Sequence, residues 1–198
     1  MELFLVLSFV ILLALSVPIA IVVLATTAGA VYFFLGLPLT TLVQQLFNGL
    51  DNFLLLAIPF FILAGNIMAE GKIATYLVEA MKAVIGRVPG GLALAGLLTC
   101  MFFAAISGSS PATVIAVGGI MIPALIKSGY DEKFSIGLMT SAGTLGILIP
   151  PSIVMVMYSM VGDTSVGDMF MAGIVPGIVR VIFFGAYTYI IAKRFNWT

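Results

Sequence analysis

Between Arg87 and Lys127 the chain runs through residues 88–126 without one charged side chain. As a single helix that run would extend roughly 60 Å, about twice the hydrocarbon thickness of a bilayer. It is interrupted at its middle by Ser107-Gly108-Ser109-Ser110-Pro111. Two readings follow: two short crossings, or a re-entrant hairpin whose tip stops near the midplane. Both require lipid. Residues 3–50 and 134–162 are also free of charge, and charged residues make up only 8% of the chain, against roughly a quarter in soluble domains. The expected fold class is therefore all-α and polytopic, with lipid as the solvent of its surface.

Charge placement orders the segments. Lys72, Lys82 and Arg87 precede the long run, and Lys127 and Lys133 follow it. A hairpin or a pair of crossings keeps all five on one side, whereas a single crossing would split them against the positive-inside rule. Each arm, at about 16 residues, falls short of a full span, which favours a hairpin over 89–127. Residues 132–163 then cross outward, as a helix broken near its middle, to an acidic loop at Asp163 and Asp168. Residues 172–192 cross back to Lys193 and Arg194, with Trp197, Tyr187 and Tyr189 as interfacial anchors.

Before the run, residues 3–35 read as one apolar segment kinked at Pro18 and counted as one crossing. The opening resembles a secretory signal, but Glu2 stands where a basic region is needed and the apolar stretch continues to about Gly36. A retained anchor is expected. Residues 36–51 form a more polar linker and 52–69 a second crossing. Residues 71–88 read as an amphipathic helix at the membrane surface. Lys72, Glu79, Lys82 and Gly86 lie on one face; Ile73, Leu77, Ala80, Met81 and Val84 lie on the other. Both termini fall on the basic side.

Several functions are excluded. The chain has no His, which removes a Ser–His dyad, the usual zinc site and a histidine relay. No acidic residue lies within a central apolar run, and the lysines lie near predicted segment ends, so aspartyl and Ser–Lys chemistry lack their parts. Cys100 is the one cysteine, so no disulfide forms within the chain and a packing role is expected. Zero net charge gives nothing for nucleic acid to bind. Asn66 reads as interhelical glue, Arg180 as a snorkelling cation, the eleven methionines as flexible packing, and Asp131-Glu132-Lys133 as a solvated turn.

Two places pair a helix stop with a helix restart. In residues 106–114, Gly108 can end a helix, Ser110 can cap the next and Pro111 can take its first position. In residues 142–154, Gly143 and Gly146 loosen the helix, Pro150 drives Ile149 out of the α region, and Pro151 can begin another. Taken singly, each is explained by close packing of small residues or by a proline kink. Two such breaks in order point instead to a site. Backbone groups freed at membrane depth persist only where protein, water or an ion satisfies them. Carbonyl and hydroxyl oxygens suit a small hard cation such as Na⁺, and helix starts near Pro111 and Pro151 turn a positive dipole end toward an anion.

The runs FFAAISGSSPATVIAVGGIMIPALIKSGYD, GLMTSAGTLGILIPPSIVMVMY and DMFMAGIVPGIV, with the earlier IPFFILAGNIMAEG and FLVLSFVILLALSVPIAIVVL, carry a resemblance over nearly the whole chain. Together they resemble the large, DctM-like permease subunit of tripartite ATP-independent periplasmic (TRAP) transporters. The resemblance implies a multi-pass protein of the bacterial inner membrane that imports organic acids, such as sialic acid or C4-dicarboxylates, by Na⁺ symport. It implies no cofactor beyond Na⁺ as the coupling ion. Its implied partners are a small TRAP membrane subunit and a periplasmic solute-binding protein.

The implied fold is one inverted-repeat half of an elevator-type transporter. Residues 1–88 would supply scaffold helices and the interfacial arm helix, 89–163 half of the transport domain, and 164–198 a connecting loop and final transmembrane helix. On that pattern Ser107, Gly108, Ser109, Ser110 and Thr113 match the hairpin tip, and Gly143, Thr144, Gly146 and Pro150 the broken helix. Together these would form one Na⁺ site. Ser110, Pro111, Pro151 and Ser152 would face the substrate. Such permeases are about twice this length and carry a second hairpin, so this chain is expected to be the N-terminal half and to need the C-terminal half of the permease as its partner. Another anion permease or a passive channel of related architecture is the alternative.

Overall fold

The structure is a computed structural model that describes residues 1–197. Every element among them is helical, as a bilayer demands of a chain that cannot close a barrel. The chain divides into two compact units, Met1–Asn52 and Phe53–Thr198.

In the first unit α1 (Glu2–Ala14) and α2 (Ile19–Phe34) are separate helices, not one kinked segment. Ser16 takes a left-handed φ of 59°, and Pro18 has no N–H with which to continue the helix. The chain therefore reverses. The Phe4 ring lies 5.3 Å from that of Phe34, and a Cβ on Gly29 would come within 2.9 Å of it. Thirteen and sixteen residues give about 20 and 24 Å, so each arm is shorter than an ordinary span. The single crossing expected for 3–35 is thus a hairpin. Both of its ends lie together. α3 (Leu39–Leu50) follows, with Leu39, Val43, Phe47 and Leu50 exposed along one side.

In the second unit a 3₁₀ turn (Phe53–Leu56) leads into α4 (Ala57–Glu70), and together they are long and apolar enough to cross a membrane. α5 (Ile73–Ile85) is the expected amphipathic helix. Its buried side is centred on Ala74 and Val78 and packs on α6, while Ile73 and Val84 are exposed.

α6 (Gly91–Ser107) ends at Gly108, whose φ of +61° supplies the left-handed stop. The chain restarts as α7 (Ser110–Thr113), passes through a π turn (Val114–Gly118) and continues as α8 (Gly119–Lys127). The two arms lie antiparallel, because a Cβ on Gly96 of α6 would meet Met121 of α8 at 3.0 Å and Met139 of α9 equally closely. The methionine thioethers fill this crossing as pliable packing. α9 (Glu132–Gly143), with Asp131 as its N-cap, runs into a 3₁₀ turn (Thr144–Ile147). The helix resumes as α10 (Ile153–Val161). Fully buried Phe103, Val117, Met121, Leu125, Met139 and Leu145 form the core of this bundle.

α11 (Val166–Phe195) is a 30-residue helix that includes Asp168 in its first turn, so the acidic connection is shorter than the sequence implied. It spans about 45 Å and serves as a ruler for everything beside it. Near its C-terminal end Thr188 and Ala192 face Gly90, and the Gly90 N–H donates to the Trp197 carbonyl at 3.0 Å. There the Trp197 ring packs, tilted, with its centroid within 5.0 Å of those of Tyr130 and Phe134. The start of α6, the start of α9 and the end of α11 thus meet at one end, with Arg87, Lys127, Lys133, Lys193 and Arg194 close by in the chain.

Candidate functional site

Buried hydroxyls in this chain mostly satisfy themselves within their own helix. Thr26 donates to the Val22 carbonyl at 2.8 Å, Thr99 to Ala95 at 2.7 Å, Ser135 to Asp131 at 2.8 Å and Ser159 to Val156 at 2.8 Å. That is the inexpensive solution in a medium without water. Among the described residues four buried hydroxyls have no partner: Ser110, Tyr130, Ser152 and Thr188. Ser110 and Ser152 sit at the two helix restarts.

The two breaks are one place. The Gly146 α-carbon lies against the peptide joining Ser109 and Ser110, so closely that a Cβ would fall 2.8 Å from the Ser110 nitrogen and 3.0 Å from the Ser109 oxygen. One turn earlier Gly143 faces Val114, whose methyl occupies the space a Cβ would need. On the other side of the tip the Ile153 N–H donates to the Gly108 carbonyl at 3.2 Å, and a Cβ on Gly108 would stand 2.9 Å from the Pro151 oxygen. The glycines at these breaks are there for close backbone approach as well as for helix loosening.

Within the tip, Ser107 Oγ and Thr113 Oγ1 lie 3.3 Å apart and fully buried, and the Ser109 N–H donates to Ser107 Oγ at 3.4 Å. The helix restart is capped by Ser109, one residue earlier than expected: its Oγ accepts the Ala112 N–H at 3.4 Å. Its carbonyl accepts the Thr113 hydroxyl at 2.8 Å. Ser110 is therefore the first helical residue, and its hydroxyl is left over. Pro111 is exposed.

In the second break Thr144 Oγ1 donates back to the Ser141 carbonyl at 2.6 Å, which occupies its proton but leaves oxygen lone pairs. The Pro150–Pro151 peptide is cis. α10 begins at Ile153, two residues later than Pro151 suggested, with Ser152 in the N-cap position. Ser152 is fully buried but makes no capping bond. A buried hydroxyl without a partner costs about 1–3 kcal/mol, so each restart serine has bonding capacity that the described residues do not use.

Every residue of the two sequence motifs lies on the tip or on the break beside it, and none is titratable. No group of three or more His, Cys, Asp or Glu is found among the described residues. What converges is a set of neutral oxygens and two helix starts. Such a set has the oxygen chemistry that can coordinate a hard cation, with helix starts that can offer N–H groups to an anion.

Sequence reasoning missed the residues that hold this junction from outside. Gly65 of α4 faces Ser107 and Ala112, at 3.4 and 3.8 Å from a notional Cβ. Gly173 and Gly177 of α11 receive Leu148 and Ile149, with the Leu148 oxygen 2.6 Å from a notional Cβ on Gly173. The four-residue spacing of Gly173 and Gly177 is a recognised close-packing signal and could have found them.

The family model described as "Tripartite ATP-independent periplasmic transporter, DctM component" matches residues 6–198. The chain is 48% identical over 168 residues to the C4-dicarboxylate TRAP transporter large permease protein DctM of Pseudomonas aeruginosa, covering 84% of this chain and 39% of that protein. To the protein of the same description in Rhodobacter capsulatus it is 41% identical over 196 residues, covering 92% and 44%. It is also 40% identical over 190 residues to the ectoine/5-hydroxyectoine TRAP transporter large permease protein UehC of Ruegeria pomeroyi, covering 95% and 44%. The chain thus spans less than half the length of these relatives, which are transport permeases and not enzymes.

Proposed function

The chain belongs to the DctM component family of tripartite ATP-independent periplasmic transporters, and from that premise we propose that it is one half of a Na⁺-coupled permease that imports small organic acids. The observation that carries this reading is the contact of Gly146 with the Ser109–Ser110 peptide, flanked by the unpartnered hydroxyls of Ser110 and Ser152. Ser107, Gly108, Ser109, Ser110, Thr113, Gly143, Thr144, Gly146 and Pro150 supply oxygens or the close approach for one Na⁺. Ser110, Pro111, Pro151 and Ser152 face a carboxylate. The remaining half of the permease provides the opposite wall. A small membrane subunit and a periplasmic binding protein complete the importer in the inner membrane.

The re-entrant reading of the tip draws support from α11. The base of α6 lies beside Thr188 and Ala192, whereas Leu148 and Ile149, next to the tip, lie beside Gly173 and Gly177. The tip level is thus about 10–17 Å short of the N-terminal end of α11. Arm length alone does not support it, since Ser110–Lys127 is long enough to cross.

A tenfold Na⁺ gradient with a 100 mV potential offers about 3.7 kcal/mol per ion, enough to accumulate a neutral solute several hundredfold, and an anion less because its own charge moves against the potential. The test is uptake by the full permease with its partner proteins in proteoliposomes. Uptake should need an inward Na⁺ gradient and no ATP; equal uptake in choline or K⁺ removes the coupling ion from the account.

A further inference from the structure

A cavity of about 440 Å³ opens between α5, α6 and α8, lined by Lys82, Gly86, Arg87, Leu92, Ala124 and Ser128. Its lining holds two cations and a hydroxyl but no carboxylate. The tight α5–α6 turn shapes it: a Cβ on Gly91 would stand 2.5 Å from the Ile85 oxygen and 2.7 Å from the Gly86 oxygen. That closeness brings Arg87 to the start of α6. α6 has no side-chain cap; its Gly91 N–H is taken by the Val88 carbonyl at 2.7 Å, and the positive end of the 17-residue helix dipole lies at this end, near the lining residue Leu92. Ser128 closes the far side, its N–H already engaged by the Ala124 and Leu125 carbonyls at 3.1 and 3.0 Å.

We propose that this cavity is a binding site for the phosphate of an anionic phospholipid. Arg87 offers a planar fork to two phosphate oxygens, Lys82 a point charge and Ser128 a hydroxyl donor. The rim argues for lipid over free phosphate. Val84, Val88 and Ile126, each within two residues of a lining residue, are 73%, 42% and 41% exposed, so apolar surface stands beside the cations, where acyl chains would leave the site. The depth agrees. The start of α6 is tied to Trp197 by the Gly90 hydrogen bond, and Trp197 belongs to an aromatic cluster with Tyr130 and Phe134, the residue types that sit at headgroup level. Basic pockets between transmembrane helices are known to take acidic lipid headgroups. A lipid held here joins α5 to both arms of the hairpin.

The experiment uses the full permease complex in nanodiscs of phosphatidylcholine doped with phosphatidylglycerol, with bound lipid counted by native mass spectrometry. Phosphatidylglycerol should be retained over phosphatidylcholine. Lys82→Gln with Arg87→Gln should reduce its retention about fivefold for each cation removed. Lys193→Gln with Arg194→Gln, at the same end but outside the cavity, should leave retention unchanged. Equal losses in both pairs would mean a general attraction to the leaflet, and would overturn the site. So would displacement of the lipid by millimolar inorganic phosphate, which assigns the cavity to a soluble anion. Should the double variant not fold, Arg87→Gln alone, at an exposed position, carries the comparison: an unchanged retention contradicts the proposal.

Discussion

The α-carbon of Gly146 rests on the peptide between Ser109 and Ser110, with room for hydrogen and for nothing larger. Gly143, one turn before, is limited differently, since what fills its space is the Val114 side chain and not backbone. The distinction can be tested. Gly146→Ala must push the hairpin tip away from the broken helix, and overpacking of this kind costs about 1–3 kcal/mol. Uptake should fall by about tenfold or more. Gly143→Ala should show a similar loss that Val114→Ala largely restores, whereas Val114→Ala should not rescue Gly146→Ala. Rescue of both, or of neither, would mean the two glycines act through something other than these contacts.

Ser110 and Ser152 make an unusual forecast for buried polar residues. Because neither hydroxyl has a protein partner, replacing either with Ala should leave stability unchanged or raise it by up to about 1 kcal/mol. Ser109→Ala should behave in the opposite way, losing about 0.5–2 kcal/mol with its cap to Ala112. Thermal unfolding of the purified full permease separates these outcomes, and a marked loss in Ser110→Ala or Ser152→Ala would show that those hydroxyls are bonded after all.

The two helix breaks of the candidate site were legible in the sequence because glycine, serine and proline mark helix ends by local chemistry. Both breaks fall within two residues of where that chemistry puts them. What local chemistry does not carry is approach between segments. Nothing in residues 142–154 taken alone says that Gly146 will meet Ser110, since that contact depends on how α9 packs against the hairpin. The N-terminal hairpin shows the opposite error. Pro18 was seen, but a proline kink and a proline reversal have the same signature until Ser16 adopts a positive φ and Phe4 finds Gly29. The face of α5 that packs on α6 was not given by its pattern for a related reason: small Ala74 and Val78 let α6 approach, while larger Ile73 and Val84 stay outside.

Trp197 ties the C-terminal end of α11 to the starts of α6 and α9. Its ring lies 4.9, 5.0 and 5.3 Å from those of Tyr130, Phe134 and Phe195, and such pairs contribute about 0.5–1.5 kcal/mol each. Trp197→Ala should therefore destabilise the protein by about 2–4 kcal/mol, with Trp197→Phe retaining about half or more of the stabilisation. No change in unfolding midpoint on Trp197→Ala would show that the cluster does not anchor this end.

Orientation follows from the same end of the bundle. Single cysteines at Ser128 and at Thr164 should report from opposite sides of the membrane, because α9 and α10 run from the basic end to the acidic turn. Cys100 is fully buried and should stay silent. An impermeant maleimide applied to intact cells should label position 164 and spare 128 until the membrane is opened; the reverse pattern inverts the topology.

The most direct measurement is the Na⁺ activation curve of uptake for the complete permease, wild type against Ser110→Ala and Thr144→Val. If the hairpin tip and the broken helix jointly hold the coupling ion, both variants fold normally and need several-fold more Na⁺ for half-maximal uptake, by about the 0.5–1.5 kcal/mol that one oxygen contact contributes. Activation curves that coincide with wild type in both variants, or uptake indifferent to Na⁺ in all three, would contradict the account.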